Sequence, residues 1–218
     1  SWYRLGSCQA RVGSNAHTRK VDRTMTTQTR TLKTRERIVA AAEDLFYRQG
    51  YQATAVNQII EQAGVSKPTF YNHFPSKEEL CVAYLNEKRR RDLIEMKMAV
   101  RQQTAAYDRY MTPVQVLKMR MIETEYNGCR YFNMLAEVKD MASPIVQEAQ
   151  QFNDAIRTLL KDVTHDLVQS DERYGHLDAD RVADAYYVIF CGAIMVGQAY
   201  QAEWPLDVAA DQVARLVQ

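Results

Sequence analysis

Residues 64–80, GVSKPTFYNHFPSKEEL, interleave three aromatic residues with polar ones. Phe70 and Phe74 are too large and apolar to be left in water, whereas the Lys, Thr, Asn and His around them are atypical of a core. The two phenylalanines are four residues apart and would share one face of a helix. The stretch therefore predicts a short helix that buries two aromatic rings and presents a polar face.

The start of this helix can be placed from its residue types. Ser66 is a suitable N-cap, which makes Lys67 the first helical residue and Pro68 the second. A proline in the first turn costs little, because its missing N–H would have no partner there. Val65 before the cap and Phe70 at the fourth helical position have the spacing of a hydrophobic staple.

Two further short helices precede it. Apolar residues recur at helical spacing in two runs, Ile38, Ala41, Ala42, Leu45, Phe46 and then Val56, Ile59, Ile60, Ala63. Gly50 and Gly64 follow the two runs and are expected to end the helices, and Thr54 is expected to cap the second. The short link AGVS between the second and third helices predicts a helix-turn-helix, whose last helix enters the DNA major groove.

The outward residues of the third helix suit DNA. Asn72 can bind adenine, Thr69 a thymine methyl group, and Lys67 a guanine or a phosphate. Tyr71, His73 and Lys77 suit phosphate oxygens, as do the backbone N–H groups of helices capped by Thr54 and Ser76. The predicted DNA-binding set is Thr54, Ser66, Lys67, Pro68, Thr69, Tyr71, Asn72, His73 and Lys77.

Charge is distributed unevenly along the chain. Residues 1–91 carry 16 Lys and Arg against 8 Asp and Glu, whereas residues 92–218 carry 12 against 19. The basic part attracts a polyanion such as DNA, whatever its sequence.

Residues 36–85, ERIVAAAEDLFYRQGYQATAVNQIIEQAGVSKPTFYNHFPSKEELCVAYL, resemble the DNA-binding domain of TetR-type (tetracycline-repressor-like) regulators. One departure is Ala55, where that family often has Thr or Ser. The resemblance implies a transcriptional regulator, most simply a repressor, that binds a palindromic operator as a homodimer and is released by a small-molecule effector. It also implies that the helix opened by Ser76 transmits the effector's signal.

The remainder of the chain also has helical patterns. Helices are expected from Ser76 to about residue 103, from Thr112-Pro113, from Ser143-Pro144 to about Ser170, over 178–203, and from Pro205. No convincing hairpin signal occurs, so the predicted fold is all-α. The expected parts are a disordered basic leader (1–29), a three-helix DNA-binding domain (30–76), and a ligand-binding and dimerisation domain (77–218).

By the resemblance, the homodimer forms through residues 178–218. The run AYYVIFCGAIMVGQAY is apolar around most of a helix, and Gly192 and Gly197 would allow close approach of a partner. A buried core helix of a monomer is the alternative. By the resemblance too, an effector pocket lies within residues 104–200, and its candidate lining residues are Met119, Glu123, Tyr126, Phe132, Met134, Phe152, Tyr187 and Phe190.

The four cysteines lack disulfide or zinc-ligand spacing and are expected to be reduced thiols of a cytoplasmic protein. Cys129 offers an alternative mechanism, because a thiol at a helix start beside Arg130 has a lowered pKa and could sense electrophiles or oxidants. No catalytic motif, metal site or cofactor site is predicted, and the longest apolar run is too short to cross a membrane.

Overall fold

The computed structural model describes the backbone of residues 16–218 and the side chains from Lys33 onward. Within that part the regular elements are helices, as the sequence predicts. In chain order they are α1 (Ala16–Gln49), α2 (Val56–Ala63), α3 (Lys67–His73), α4 (Lys77–Arg101), α5 (Ala106–Glu123), α6 (Arg130–Glu137), α7 (Pro144–Ser170), α8 (Ala179–Tyr200) and α9 (Trp204–Arg215). A 3-10 turn, Glu172–Tyr174, lies between α7 and α8.

The chain divides into two compact units, residues 1–37 and 38–218. In the first unit the backbone is helical from Ala16, which overlaps the leader (1–29) expected from the sequence to be disordered. Residues 1–15 of that prediction lie outside the described part. Residues 16–37 contain neither proline nor glycine, and extending an existing helix requires far less free energy than starting a new one.

Most predicted helix ends are confirmed. Gly64 closes α2 in the left-handed conformation with φ of 61°, where its N–H donates to the Glu61 carbonyl. The Ser76 hydroxyl accepts the Glu79 N–H at 3.0 Å to begin α4, and the Ser143 hydroxyl accepts the Ile145 N–H at 3.2 Å to begin α7.

Helix α5 begins at Ala106 and contains Pro113 in its interior, so its predicted start at Thr112-Pro113 is wrong. An interior proline opens the backbone ladder. The hydroxyl of Tyr186 from α8 enters this gap, accepting from the Val114 N–H at 3.0 Å and donating to the Tyr110 carbonyl at 3.1 Å. Val114 and Tyr110 are four residues apart, so the phenol takes the place of one helical hydrogen bond.

The described side chains form two apolar clusters. The first joins α1–α4 to α6 and α7, and it contains Ile38, Ala42, Phe46, Ile59, Phe70, Phe74, Leu80, Tyr84, Met134 and Ile145 among others. The second joins the later part of α4 to α5 and α7–α9, and it contains Met96, Leu117, Ile156, Leu160, Tyr186, Phe190, Ile194 and Val213 among others. Helices α4 and α7 contribute to both clusters and therefore connect them.

Helix α8 is longer than the apolar run noted in the sequence. It has 22 residues and contains an 18-residue window with mean hydropathy 1.4, so it could cross a membrane by length and composition alone. A single helix of this kind is weak evidence, because core helices of soluble proteins have the same composition. Tyr186, Phe190 and Ile194 of α8 are buried in the second cluster.

Replacing Tyr186 with Phe should lower the free energy of unfolding by about 1–3 kcal/mol, because a buried N–H and a buried carbonyl each lose their partner. Chemical denaturation followed by circular dichroism measures the change. Tyr107→Phe is the matched control, since it removes a phenol hydroxyl from an exposed position. Equal stability of the two variants would contradict the bridging role.

Candidate DNA-binding helix and ligand cavity

Helix α3 is held by its two phenylalanines, as predicted. Phe70 is 0% exposed and Phe74 is 4% exposed, and their ring centroids are 6.4 Å apart. Val65 packs against the same apolar cluster, which agrees with the hydrophobic staple. One face of a seven-residue helix is thereby fixed to α1 and α2.

The start of α3 is also as predicted. The Ser66 hydroxyl accepts the Thr69 N–H at 3.3 Å and lies 2.7 Å from the Thr69 hydroxyl, and the helix begins at Lys67. The opposite face is presented to solvent. Its exposed residues are Lys67, Pro68, Tyr71 and Asn72, and the half-buried Thr69 and His73 flank them.

Thr54 does not have its predicted role. Its side chain is buried, and its hydroxyl donates to the Gly50 carbonyl at 2.6 Å. The N-cap of α2 is Ala55, whose N–H donates to the Gln58 side chain at 2.8 Å. A glutamine three residues after the cap is the signal that identifies this start in the sequence.

Lys77 is bonded to the loop between α1 and α2. Its ammonium donates to the carbonyls of Tyr51 at 2.9 Å and Thr54 at 3.1 Å, and it lies 4.3 Å from the centre of the Tyr51 ring. Burial lowers the pKa of Lys77, and burial raises the pKa of Tyr51 to about 12. Lys77 thus anchors the loop between α1 and α2 to the start of α4.

A second feature is a cavity of about 280 Å³ lined by residues of both apolar clusters. Three of the predicted lining residues, Glu123, Phe152 and Phe190, do line it. The others, Met119, Tyr126, Phe132, Met134 and Tyr187, lie outside its lining. Met119 faces solvent and Met134 is buried in the first cluster, because helical spacing alone does not say which apolar neighbour a side chain meets.

Charged residues that the sequence analysis missed line this cavity. Arg120 lies 3.0 Å from the Asp92 carboxylate and 2.5 Å from that of Glu95. Asp92 is buried. It lies four residues after Lys88, and this spacing of opposite charges on one helix could have predicted their pairing from the sequence.

Lys88 and Arg130 also line the cavity, and both face Glu43 of α1. Their nitrogens lie 3.4 Å and 3.2 Å from the same Glu43 carboxylate oxygen. Arg130 further donates to the Tyr84 hydroxyl at 3.0 Å and lies over the Tyr47 ring. These residues come from three different helices, α1, α4 and α6, so only their tertiary positions bring them together.

Helix α6 and the turn before it contact the end of α1 and the loop after it. The Asn127 amide donates to the Tyr47 carbonyl at 2.9 Å, and the Gln52 N–H donates to the Glu137 carboxylate at 2.7 Å. A Cβ at Gly50 would lie 2.8 Å from a Glu137 oxygen, so glycine is needed there for this close approach as well as for its φ of 90°. The first three helices are thereby joined to the region of the cavity.

Cys129 is the N-cap residue of α6, as the sequence suggested, but its chemistry differs from the expectation. Burial raises the pKa of the Cys129 thiol, and this outweighs the opposing effects of backbone N–H groups and Arg130. Cys81, Cys129 and Cys191 are free thiols, and Cys8 lies outside the described residues. Among the side chains from Lys33 onward, no cluster of His, Cys, Asp or Glu is arranged to hold a metal ion.

Residues 38–84, which contain α2, α3 and their supporting core, match the family model described as bacterial regulatory proteins, tetR family. Residues 38–84 are a TetR-type DNA-binding domain. This agrees with the resemblance stated from the motifs of residues 36–85.

Individual relatives that match this chain are also named as HTH-type transcriptional regulators. It is 44% identical over 66 residues to the HTH-type transcriptional regulator LmrA of Bacillus subtilis (strain 168), a match covering 30% of this chain and 34% of that protein. It is 29% identical over 128 residues to the HTH-type transcriptional activator FasR of Mycolicibacterium smegmatis, covering 58% of each. The matches thus span from about a third to somewhat over half of these relatives.

The fold extends further than the sequence similarity. The crystal structure of SCO4454, a TetR-family regulator from Streptomyces coelicolor, superposes with a TM-score of 0.75 over 85% of this chain and 94% of that one. Their identity is 20%, so this comparison concerns the fold alone.

Alkylation of Cys129 by iodoacetamide at pH 7.5 should be slower in the folded protein than in the urea-unfolded chain. The raised pKa reduces the thiolate fraction, and the thiolate is the reacting form. Mass spectrometry of the Cys129 peptide over time measures the rate. Faster labelling in the folded state would instead support a reactive, sensing thiol.

Proposed function

We propose that this protein is a TetR-family transcriptional repressor that binds a palindromic DNA operator as a homodimer and is released by a small-molecule effector. The observation that carries the proposal is α3, a capped helix with two buried phenylalanines and an exposed polar face. We assign DNA contact to residues 30–76, and effector binding and dimerisation to residues 77–218. Such a regulator acts in the cytoplasm, where bacterial DNA is accessible.

The exposed face of α3 supplies the contacts with DNA. Asn72 is placed to read adenine, and Lys67 to contact a guanine or a phosphate. Tyr71, which is 43% exposed, is placed for a phosphate, together with His73. Thr54 and Lys77 are not part of the proposal, because their side chains are bonded to the α1–α2 region.

An exposed apolar stripe on α8 and α9 supports the homodimer. Val188 and Met195 of α8 are 69% and 62% exposed, and Trp204 and Val208 of α9 are 51% and 49% exposed. Gly192 lies between the first two, and a Cβ there would meet nothing within 4 Å. Large exposed apolar side chains of this kind are typical of a protein interface, and a glycine among them permits close helix approach. Gly197, by contrast, is buried and packs against Met121 of the same chain.

Dimerisation also accounts for specificity. A seven-residue helix contacts too few bases to select one site in a genome. Two copies related by a two-fold axis read two half-sites one helical turn apart, or a multiple of it, which requires a palindromic operator.

Helix α4 is the proposed route between effector and DNA. Lys77 at its start holds the α1–α2 loop, and Lys88, Asp92, Glu95 and Met96 further along line the cavity. A ligand that prefers one position of α4 shifts the equilibrium only by its difference in affinity for the two positions. Thiol sensing by Cys129 is not favoured, because burial raises the pKa of that thiol.

Asn72→Ala should reduce discrimination at particular operator bases by about 1–3 kcal/mol per contact, whereas Tyr71→Ala should weaken binding to all sequences alike. Selection of bound sequences from a random duplex pool defines the operator. Fluorescence anisotropy over a salt series then measures the affinities. Gln151→Ala, an exposed change on α7, is the control. Unchanged operator affinity in both α3 variants would reject the assignment of this helix.

Gly192→Glu should convert the dimer to a folded monomer, because it places a charge in the proposed interface where the monomer itself has open space. Analytical ultracentrifugation measures the mass and circular dichroism the folding. Gln151→Glu introduces the same side chain on α7 and should remain dimeric. A dimeric Gly192→Glu protein would place the interface elsewhere.

A further inference from the structure

We propose that the effector is a small apolar carboxylate, whose charged group binds Lys88 and Arg130 in competition with Glu43 of α1. This rests on the proposed function, because it takes the cavity to be the effector site.

The apolar part of the cavity accepts the body of such a ligand. Phe152 and Tyr131 are stacked, with ring centroids 3.8 Å apart and an interplanar angle of 11°. Ile156, Phe190 and Ile194 complete this wall. The volume of about 280 Å³ lies just below the usual range of about 300–1,000 Å³ for ligand pockets, so one aromatic ring or a short alkyl chain fits best.

Lys88 is the cavity cation with the poorest partners. Its side chain is 18% exposed, and its nitrogen lies 3.4 Å from Glu43 and 3.8 Å from Asp92. Close charge-assisted hydrogen bonds are about 2.7–2.9 Å long, so both ion pairs are loose. An ammonium largely removed from water gains free energy from a closer oxygen acceptor.

Arg130 stands beside Lys88 and shares its partner. The same Glu43 oxygen lies within 3.4 Å of Lys88 and 3.2 Å of Arg130. Both cations line the cavity, whereas Glu43 does not. The two cations therefore connect Glu43 to the cavity, and a ligand carboxylate inside the cavity can reach them.

The acidic residues of the cavity do not favour an amine in the same way. Asp92 and Glu95 are already paired with Arg120, at 3.0 Å and 2.5 Å. Glu123 is exposed and hydrated, so a cation gains less there. The half-buried group left without a close partner is the Lys88 ammonium, which selects an anionic oxygen.

Replacement of Glu43 by the ligand would act on the DNA-binding helices. Glu43 belongs to α1, whose Ile38, Ala42 and Phe46 share a core with α2 and α3. Weakening its bonds to Lys88 and Arg130 loosens α1 from α4 and α6. If the DNA-bound state needs these bonds, it binds the carboxylate more weakly than the DNA-free state does. Because the coupling is reciprocal, the carboxylate then weakens DNA binding by the same factor.

The test compares two carboxylates with different apolar parts, 4-phenylbutyrate and octanoate. Each is matched with the amide and the amine that have the same apolar part. Isothermal titration calorimetry on the full-length protein measures binding. We expect each carboxylate to bind at least tenfold more tightly than its amide and amine. No carboxylate binding up to 1 mM, or tighter binding of an amide or amine, would overturn the proposal.

Variants identify the residues. Lys88→Met should lower carboxylate affinity at least tenfold, Lys88→Arg should restore part of it, and Lys97→Met, an exposed lysine on the same helix, should leave it unchanged. Glu43→Gln should raise carboxylate affinity severalfold by weakening the competitor, an increase that a merely structural role would not produce. Unchanged affinity in Lys88→Met, or a loss in Glu43→Gln with its fold intact by circular dichroism, would refute the mechanism.

Operator binding by the same preparations separates the two proposals. If the carboxylate pattern appears without any operator binding, the ligand class stands and the repressor function fails. If the operator is bound but the carboxylate preference is absent, the ligand class fails and the repressor function stands.

Discussion

The burial of Phe70 and Phe74 is the constraint on which the DNA-binding face depends. A helix of seven residues is not stable alone in water, because too few hydrogen bonds offset the entropy of ordering it. The two rings fix α3 to a core built from α1, α2 and α4. Because they occupy one face, the polar residues on the other are held in a defined position without needing partners of their own.

That core does not stop at the DNA-binding helices. It includes Met134 of α6 and Ile145 of α7, and α4 continues from it into the second cluster at Met96. Close packing means that a shift of one of these elements cannot be absorbed locally. The charges of Glu43, Lys88 and Arg130 lie where α1, α4 and α6 meet, so a change in their pairing acts on all three helices.

The second cluster depends on a different device. Pro113 opens the ladder of α5, and the Tyr186 hydroxyl closes it from α8. The Tyr110 hydroxyl in turn donates to the Val213 carbonyl of α9 at 3.0 Å. Two phenols therefore join three helices, and one face of α8 is committed to the core while Val188 and Met195 on another remain exposed.

The sequence by itself determined the features that depend on neighbours along the chain: the all-α fold, the caps at Ser66, Ser76 and Ser143, and the buried and exposed faces of α3. These follow from helical periodicity and local hydrogen bonding. Only the tertiary structure decided the rest. Lys77 donates to carbonyls of the loop between α1 and α2, and the Tyr186 hydroxyl bridges the helical hydrogen bond opened next to Pro113. Lys88 and Arg130 both pair with Glu43. Each of these contacts joins residues that are distant in sequence. The pKa of Cys129 also depended on burial, which outweighs the local effect of a helix start and cannot be read from adjacent residues.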